Sequence, residues 1–214
     1  MKTEQIVVRD VAALPQSLSP LQAISPQWVL VFGAASFFAT PALYETLRAT
    51  FPGAALLGCS TAGEISRNGV DDGTCVVTAV RLDKGGVKAA ATVLGSMEDS
   101  RAAGMRIGEQ LDVPDLRAVM VFGPGVAING SALVDGISAV IGEGIPLTGG
   151  LAGDGGAFQR TWTRWPATGA LTGMLLRGSG AAFPMAPIEV PGAAAFIFYI
   201  ALGALIGAVS AYLG

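Results

Sequence analysis

Runs of consecutive apolar residues recur along the chain and predict strands. The two clearest runs, residues 28–33 and 118–123, both end in glycine. A short continuous apolar run of this kind is typical of a strand that is buried on both faces. Further runs predict strands at residues 54–59, 74–82, 86–94 and 145–149, with a short one at 5–9. The pattern therefore predicts a sheet whose strands are mostly covered on both sides.

Helical signals lie between these runs. Thr40 followed by Pro41 predicts a helix start, with Thr40 as the N-cap and Pro41 as the first helical residue. Residues 100–111 predict a second helix, although Gly104 and Gly108 weaken it. Asn129 predicts the N-cap of a third helix. Strands that alternate with helices indicate an α/β fold.

The second half of the chain repeats the pattern of the first half. With a constant offset of 90 residues, residues 29–64 align with residues 119–154 without a gap, in phase through strand, helix and strand. We predict duplicated β-α-β-β-β units, about residues 28–94 and 118–177, that form a mixed-sheet domain. The matching loops, residues 58–64 and 148–154, are then expected to face each other.

The composition changes after residue 177. Residues 178–191 contain three prolines and one charged residue, Glu189, which predicts a linker. Residues 192–214 contain no charged residue, and a helix of that length spans the ~30 Å hydrocarbon core of a bilayer. We predict a transmembrane helix there. A buried helix of a soluble core is the alternative, but core helices are rarely free of charge over such a length.

The residues around the predicted span indicate its orientation and contacts. Arg160, Arg164 and Arg177 precede it and no basic residue follows it, which favours a cytoplasmic N-terminal domain and a tail anchor. Gly203, Gly207 and Ala211 share one helix face, where small residues allow close helix packing. Residues 1–27 lack the apolar segment of a signal peptide and are interpreted as an N-terminal extension.

Charge and composition exclude several functions. Only 14% of residues are charged and 51% are apolar, so the chain can bury a large core. The net charge of −3 argues against nucleic acid as a partner, because nucleic-acid binding needs a concentrated basic surface. The chain has no histidine, which excludes histidine-based triads and histidine-ligated metals. We expect no metal or other cofactor.

The two cysteines, Cys59 and Cys75, do not form a metal-binding motif. We expect reduced thiols in a cytosolic domain, with a single disulfide between them as the alternative. The segment 58–63 resembles a nucleophile elbow, but its spacing differs and no histidine is available as a base. Cys59 is therefore interpreted as a small buried residue rather than a reactive thiol, and no enzymatic activity is predicted.

The two matching loops are candidates for ligand binding. Glycine lets backbone amides approach a ligand, hydroxyl groups add hydrogen bonds, and Glu64 and Asp154 could accept from an ammonium group. A zwitterion such as an amino acid would fit this combination. The alternative is that the glycines only permit turns and close packing while the carboxylates cap loops or pair with arginines. The candidate residues are Gly58, Cys59, Ser60, Thr61, Gly63, Glu64, Gly149, Gly150, Gly153 and Asp154.

These segments also resemble a known family. Residues 29–32, 58–64 and 119–125, with residues 148–155 and Phe158, are similar to the FIST N domain in order and spacing over about residues 28–177. The resemblance implies an intracellular sensory module of bacterial signal transduction, thought to bind small ligands such as amino acids. It implies no catalytic residue. The FIST C domain that usually follows is replaced here by the linker and the predicted anchor.

Together these features predict a membrane-anchored, non-enzymatic sensory domain. The expected location is the bacterial inner (cytoplasmic) membrane, crossed once, with the N-terminal domain in the cytoplasm. Membrane lipid, a membrane protein that contacts the C-terminal helix, and a small-molecule ligand are the expected partners. The alternative function is an accessory single-helix subunit that packs against and stabilises a larger membrane protein complex.

Overall fold

The structure is a computed structural model, which describes residues 1–157 and 159–163, and the backbone of residues 170–177. The strands are β1 (Lys2–Val8), β2 (Trp28–Ala34), β3 (Ala55–Thr61), β4 (Glu64–Ser66), β5 (Gly69–Asp71), β6 (Cys75–Arg81), β7 (Gly86–Val93), β8 (Leu116–Gly123), β9 (Leu147–Leu151) and β10 (Ala170–Arg177). The helices are α1 (Leu14–Ser17), α2 (Ser19–Ala23), α3 (Ala35–Phe38), α4 (Ala42–Thr50), α5 (Ser100–Leu111) and α6 (Gly130–Ile141).

The strands form two four-stranded sheets and one small hairpin. The first sheet has the order β1-β6-β2-β3, the second has the order β7-β10-β8-β9, and β4 pairs with β5. In each large sheet one neighbouring pair is parallel, β2 with β3 and β8 with β9, and the other pairs are antiparallel. The mixed α/β character predicted from the sequence is confirmed.

Alternating side chains along the central strands produce four layers. Val29 and Val31 of β2 pack in a core with helices α1 to α4, whereas Leu30 packs in a core with Met120 and Phe122 of β8. Successive side chains of a strand point to opposite faces, so β2 contacts helices on one face and the second sheet on the other. Helices α5 and α6 cover the outer face of the second sheet. The layers are therefore helices, sheet, sheet, helices.

Each large sheet contains an edge strand that lies outside the predicted repeat for that sheet. β1 lies within the residues interpreted as an N-terminal extension, and it pairs antiparallel with β6 at the edge of the first sheet. β7 lies within the first predicted repeat, but it pairs with β10 in the second sheet. Such pairings join strands that are far apart in sequence, and local hydrophobic periodicity carries no information about them.

The register of the parallel pairs refines the alignment of the two halves. Val31 pairs with Gly58, and Val121 pairs with Gly149. Gly149, rather than the Thr148 expected from the constant offset, is therefore the positional counterpart of Gly58. By the same registers, Leu151 beside Gly123 is the counterpart of Ser60 beside Gly33. The connection between helix and strand is one residue longer in the second half.

Glycines of α5 and α6 allow the two helices on the second sheet to pack in direct backbone contact. A Cβ atom on Gly104 would lie 2.2 Å from the carbonyl oxygen of Leu133, and one on Gly136 would lie 2.1 Å from the carbonyl oxygen of Arg101. Side chains at these positions would force the helices apart. Helix α5 spans the predicted residues, and glycines that lower its intrinsic helix propensity serve its packing against α6.

The ends of two helices test the predicted caps. The Asn129 side chain accepts a hydrogen bond from the Ala132 amide at 3.0 Å, so the predicted N-cap of α6 is confirmed. Helix α4 begins at Ala42, and no side chain caps it. The helix therefore starts one residue later than predicted: Pro41 takes the N-cap position that was expected for Thr40, although Pro41 has helical dihedral angles, and the Pro41 carbonyl accepts from the Glu45 amide.

None of the helices in the described ranges is both long and apolar enough to cross a membrane. The predicted linker, residues 178–191, and the predicted transmembrane helix, residues 192–214, lie outside those ranges. Gly203, Gly207 and Ala211 lie outside them as well.

Candidate functional site

Ser60 joins the two glycine-rich loops. Its hydroxyl donates to the Gly153 carbonyl at 2.6 Å and accepts from the Trp162 amide at 2.9 Å. Its backbone amide donates to the Trp162 carbonyl, and its carbonyl accepts from the Gly153 amide, both at 2.8 Å. We call this arrangement of Ser60, Gly153 and Trp162 the Ser60 junction. The loops expected to face each other do meet, and fully buried Ser60 uses its polar groups to hold them.

The loop that follows β8 is attached to the same junction. The Gly125 amide donates to the Thr161 hydroxyl at 2.8 Å, and Thr161 precedes Trp162 in the chain. A Cβ atom on Gly153 would lie 2.9 Å from the Ala62 amide nitrogen, so the two loop backbones are in direct contact. The junction therefore gathers the carboxyl ends of β3, β8 and β9, where α/β proteins often bind ligands.

Glu64 is a buried structural carboxylate. It is 1% exposed and accepts hydrogen bonds from the Thr61 hydroxyl at 2.6 Å, the Thr74 amide at 2.9 Å and the Thr74 hydroxyl at 3.1 Å. These bonds close the base of the β4–β5 hairpin. A buried charge requires such partners. An ammonium group that reached Glu64 would have to displace one of the donors.

The two cysteines lie on opposite faces of the first sheet. Cys59 packs in the core between the sheets, and Cys75 packs in the core beneath the helices. Both are free thiols, and β2 separates their strands. Burial raises the pKa of each thiol to about 12, and the charge of Glu64 contributes to the raised pKa of Cys75. The disulfide alternative is thereby excluded, and neither sulfur is a thiolate at neutral pH.

Gly58 and Gly149 bring parallel strands close together. A Cβ atom on Gly58 would lie 1.9 Å from the Val31 carbonyl oxygen, and one on Gly149 would lie 1.7 Å from the Val121 carbonyl oxygen. Gly63 has a φ of +134°, a conformation that residues with a side chain rarely adopt. Packing and backbone geometry therefore account for these three glycines.

The exposed side of the junction carries one acidic residue, Asp154, and one basic residue, Arg160. Asp154 is half-buried, and its carboxylate accepts from the backbone amides of Gln159 at 2.7 Å and Arg160 at 3.0 Å. The Arg160 guanidinium lies 4.2 Å from the centre of the Trp162 ring, in a cation–π contact. The half-buried residues Thr61, Gly63 and Gly150 belong to the same two loops. We call this surface the junction rim.

Arg160 and Trp162 are not among the ligand-binding residues predicted from the sequence. The signal available was an arginine and an aromatic residue shortly after the Asp154 loop. That signal is weak, because a bond between Ser60 and Trp162 joins residues about a hundred positions apart and leaves no local periodicity.

The described part of the chain also has surface depressions away from the junction rim. Two of them, of about 430 and 460 Å³, share Ser25 and Arg81 in their walls. These residues precede β2 and end β6, so the depressions lie at the opposite end of the first sheet from the junction rim. In the same part of the chain, no cluster of acidic residues and cysteines could hold a metal ion.

Comparison with known proteins identifies one family. The family model described as FIST N domain matches residues 27–187, which is most of the chain. The search of the curated proteins found no match to this chain.

Proposed function

Because this chain belongs to the FIST N domain family, a family of sensory domains, we propose that it senses a small ligand at the junction rim. The observation that carries the proposal is the meeting of two glycine-rich loops from different halves of the chain, with a 2.6 Å bond from the Ser60 hydroxyl to Gly153. A ligand bound to both loops would alter the contact between the two sheets. Such a site can convert binding into a change in structure.

The chemistry of the rim favours a zwitterion such as an amino acid. The Asp154 carboxylate can accept from an ammonium group, and the Arg160 guanidinium can pair with a carboxylate. The two residues are close in the chain, and the backbone amide of Arg160 donates a hydrogen bond to the Asp154 carboxylate. Ser60 and Glu64 hold the loops in place rather than contact the ligand. Gly63 and Gly150 leave room for a ligand to approach the backbone.

We propose that the domain has no enzymatic activity. Cys59, the one thiol in residues 58–64, is buried between the sheets, and burial raises its pKa to about 12. The chain has no histidine to activate a hydroxyl. The burial of Cys59 and the absence of histidine therefore support a domain that binds a ligand without transforming it.

The two halves are further proposed to be duplicated units that form the site together. Within residues 2–81, and again within residues 86–177, the first strand pairs with the last strand, and the last strand also pairs with the second. Each half also has its parallel pair at the far end of the sheet, which supports the proposal. Equivalent loops at the carboxyl ends of these pairs then meet at one place.

A matching amino acid is expected to stabilise the full chain in mild detergent. At a concentration a hundred times its Kd, a ligand that binds only the folded state adds about 2.7 kcal/mol, or a rise in Tm of about 5–10 °C for a chain of this size. Thermal unfolding with each of the common amino acids measures this effect. If no amino acid raises the Tm, a zwitterion-binding rim is contradicted.

Arg160→Gln provides the residue-level test. Loss of the guanidinium should weaken binding about tenfold, seen as a larger ligand concentration for the same Tm shift. Arg101→Gln is the matched control, because Arg101 is an exposed arginine on α5 whose side chain contacts Met105. A response that is equal in both variants would remove Arg160 from the site.

We also propose that the chain is anchored in the bacterial cytoplasmic membrane by residues 192–214, with the domain on the cytoplasmic side. Support comes from the absence of charge over those residues. The full chain is expected to float with vesicles in a density gradient and to resist alkaline extraction. A variant that ends at residue 191 should stay in the soluble fraction. Recovery of the full chain from the soluble fraction would contradict the anchor.

The alternative function is an accessory subunit whose helix packs against a larger membrane complex. The row of Gly203, Gly207 and Ala211 favours it, because small residues at this spacing allow close contact between helices. Purification from native membrane in mild detergent distinguishes the two functions. A membrane protein recovered in stoichiometric amount would favour the subunit, and a chain recovered alone would favour the sensor.

A further inference from the structure

The two large sheets have four outer edges, formed by β1, β3, β7 and β9. An unprotected edge presents backbone amides and carbonyls that can pair with another strand. Proteins block such edges with charged residues, with side chains or with other segments. The protection of each edge therefore indicates whether it is available to a partner.

Side chains of α5 block the edge of β7. The Gln110 side chain accepts from the Ala91 amide at 3.4 Å and donates to the Ala91 carbonyl at 3.2 Å. The Arg106 guanidinium donates to the Val93 carbonyl at 2.8 Å. β7 also carries Lys88. Another strand could not reach this edge without displacing these groups.

The two edges of the first sheet are protected in different ways. On β3 the backbone of Ser60 bonds to Trp162 and Gly153, and the strand is buried almost throughout. β1 carries Lys2 and Glu4, whose charges oppose the addition of a strand.

The edge of β9 has no such protection in the described part of the chain. The strand reads Leu-Thr-Gly-Gly-Leu, without a charged residue or a proline, and no described strand pairs with its outer side. Leu151, the counterpart of Ser60, is 41% exposed. At the position where the first sheet is closed by Trp162, the second sheet exposes a large apolar side chain.

We infer that β9 pairs antiparallel with β9 of a second copy of this chain, so that two second sheets join into one sheet of eight strands. A contact across a two-fold axis places the same patch on both sides. An uncharged strand suits this contact, because equal charges on two copies of one strand would lie close together and repel each other. The two central glycines offer no side chain that would hinder approach.

The register of this pairing follows from the backbone. Pro146 and Ala152 direct their backbone groups to β8, because the Pro146 carbonyl accepts from Val119 and the Ala152 amide donates to Gly123. Alternation then directs the backbone of Leu147, Gly149 and Leu151 to the open side. A two-fold axis at Gly149 places Leu147 of one copy opposite Leu151 of the other.

Paired cysteines test both the contact and its register in the full chain in mild detergent. Opposed residues in such a pair have Cα atoms about 5.5 Å apart, within reach of a disulfide. The double variant Leu147→Cys with Leu151→Cys should therefore form a covalent dimer under mild oxidation. A mixture of the two single variants should also form it. Cys59 and Cys75 are buried and do not compete.

The single variants provide the control for register. Each alone places like residues about 14 Å apart, so it should give roughly tenfold less covalent dimer than the double variant. Val93→Cys, on the blocked edge of β7 and 62% exposed, should give as little. Equal cross-linking in all variants, or none in the double variant, overturns the inference. Cross-linking of the double variant to a different protein overturns it as well.

A spin-label experiment tests the same pairing without a substitution at the half-buried residue Leu147. A label on Leu151→Cys alone should show strong dipolar broadening, since two labels would lie about 14 Å apart before their linkers are counted. A label on Val93→Cys should show none. Absence of broadening at position 151 in a correctly folded protein would also refute the pairing. Ligand binding at the junction rim is measured separately, so the two proposals can fail independently.

Discussion

Replacement of Gly149 by alanine is expected to destabilise the protein by about 4 kcal/mol or more, a cost reached only by severe substitutions. A Cβ atom there would lie 1.7 Å from the Val121 carbonyl oxygen, and the residue has a φ of +145°. Alanine would have to separate β8 from β9 and also adopt a strained backbone conformation. Chemical denaturation of the full chain in mild detergent measures the loss of unfolding free energy.

Gly144→Ala is the matched control for this prediction. Gly144 lies shortly before β9, and a Cβ atom there would meet nothing within 4 Å. The substitution should be neutral or stabilise the chain by up to about 1 kcal/mol, because alanine restricts the unfolded state. Equal stability of the Gly149 and Gly144 variants would show that β8 and β9 are not in close contact at this point.

Ser60→Ala is expected to cost about 3 kcal/mol. The hydroxyl donates to the Gly153 carbonyl and accepts from the Trp162 amide, so alanine leaves two backbone groups without a partner at a fully buried position. Each unsatisfied group costs roughly 1–3 kcal/mol. The midpoint of urea unfolding and the free energy derived from it report this change.

Ser17→Ala controls for the loss of a serine hydroxyl. The Ser17 hydroxyl donates to the Ala13 carbonyl in a hydrogen bond that is exposed to solvent, so its removal should change stability by less than about 0.5 kcal/mol. Were Ser60→Ala as mild as this control, the two loops would be held together by other contacts. The Ser60 junction would then lose its proposed role in the site.

The buried strands could be predicted from the sequence because their signal is local. The apolar runs at residues 28–33 and 118–123 correspond to β2 and β8, which are covered on both faces by helices and by the other sheet. A strand in that position needs no polar residue along its length. Helix α5 was predicted with its observed bounds for a similar reason.

The β4–β5 hairpin was missed because its strands are short and half-polar. Each has three residues, too few to establish an alternating pattern. Asn68 lies in the turn and Gly69 begins β5, and an Asn-Gly pair is a strong hairpin signal that the sequence analysis did not include. The carboxylate at its base, Glu64, was instead a candidate ligand contact, with the capping of a loop as the alternative.

The candidate site shows a different limit. The convergence of the loops at residues 58–64 and 148–154 could be predicted from the similarity of the two halves. The role of each residue could not be predicted. A glycine that leaves room for a ligand and a glycine that packs against a carbonyl oxygen occur in the same kind of sequence. Burial separates them, and it places Cys59 inside a core while Asp154 remains half-exposed.

The sequence alone determined the positions of the buried strands and of the three longest helices, and it indicated the family, since these depend on the order of neighbouring residues. The tertiary structure decided which strands are neighbours, which backbones touch and which polar groups remain exposed. Pairing of β1 with β6, or of Ser60 with Trp162, depends on the free energy of contacts between distant segments. No local pattern encodes that quantity, because each segment gains its partner only when the rest of the core has formed.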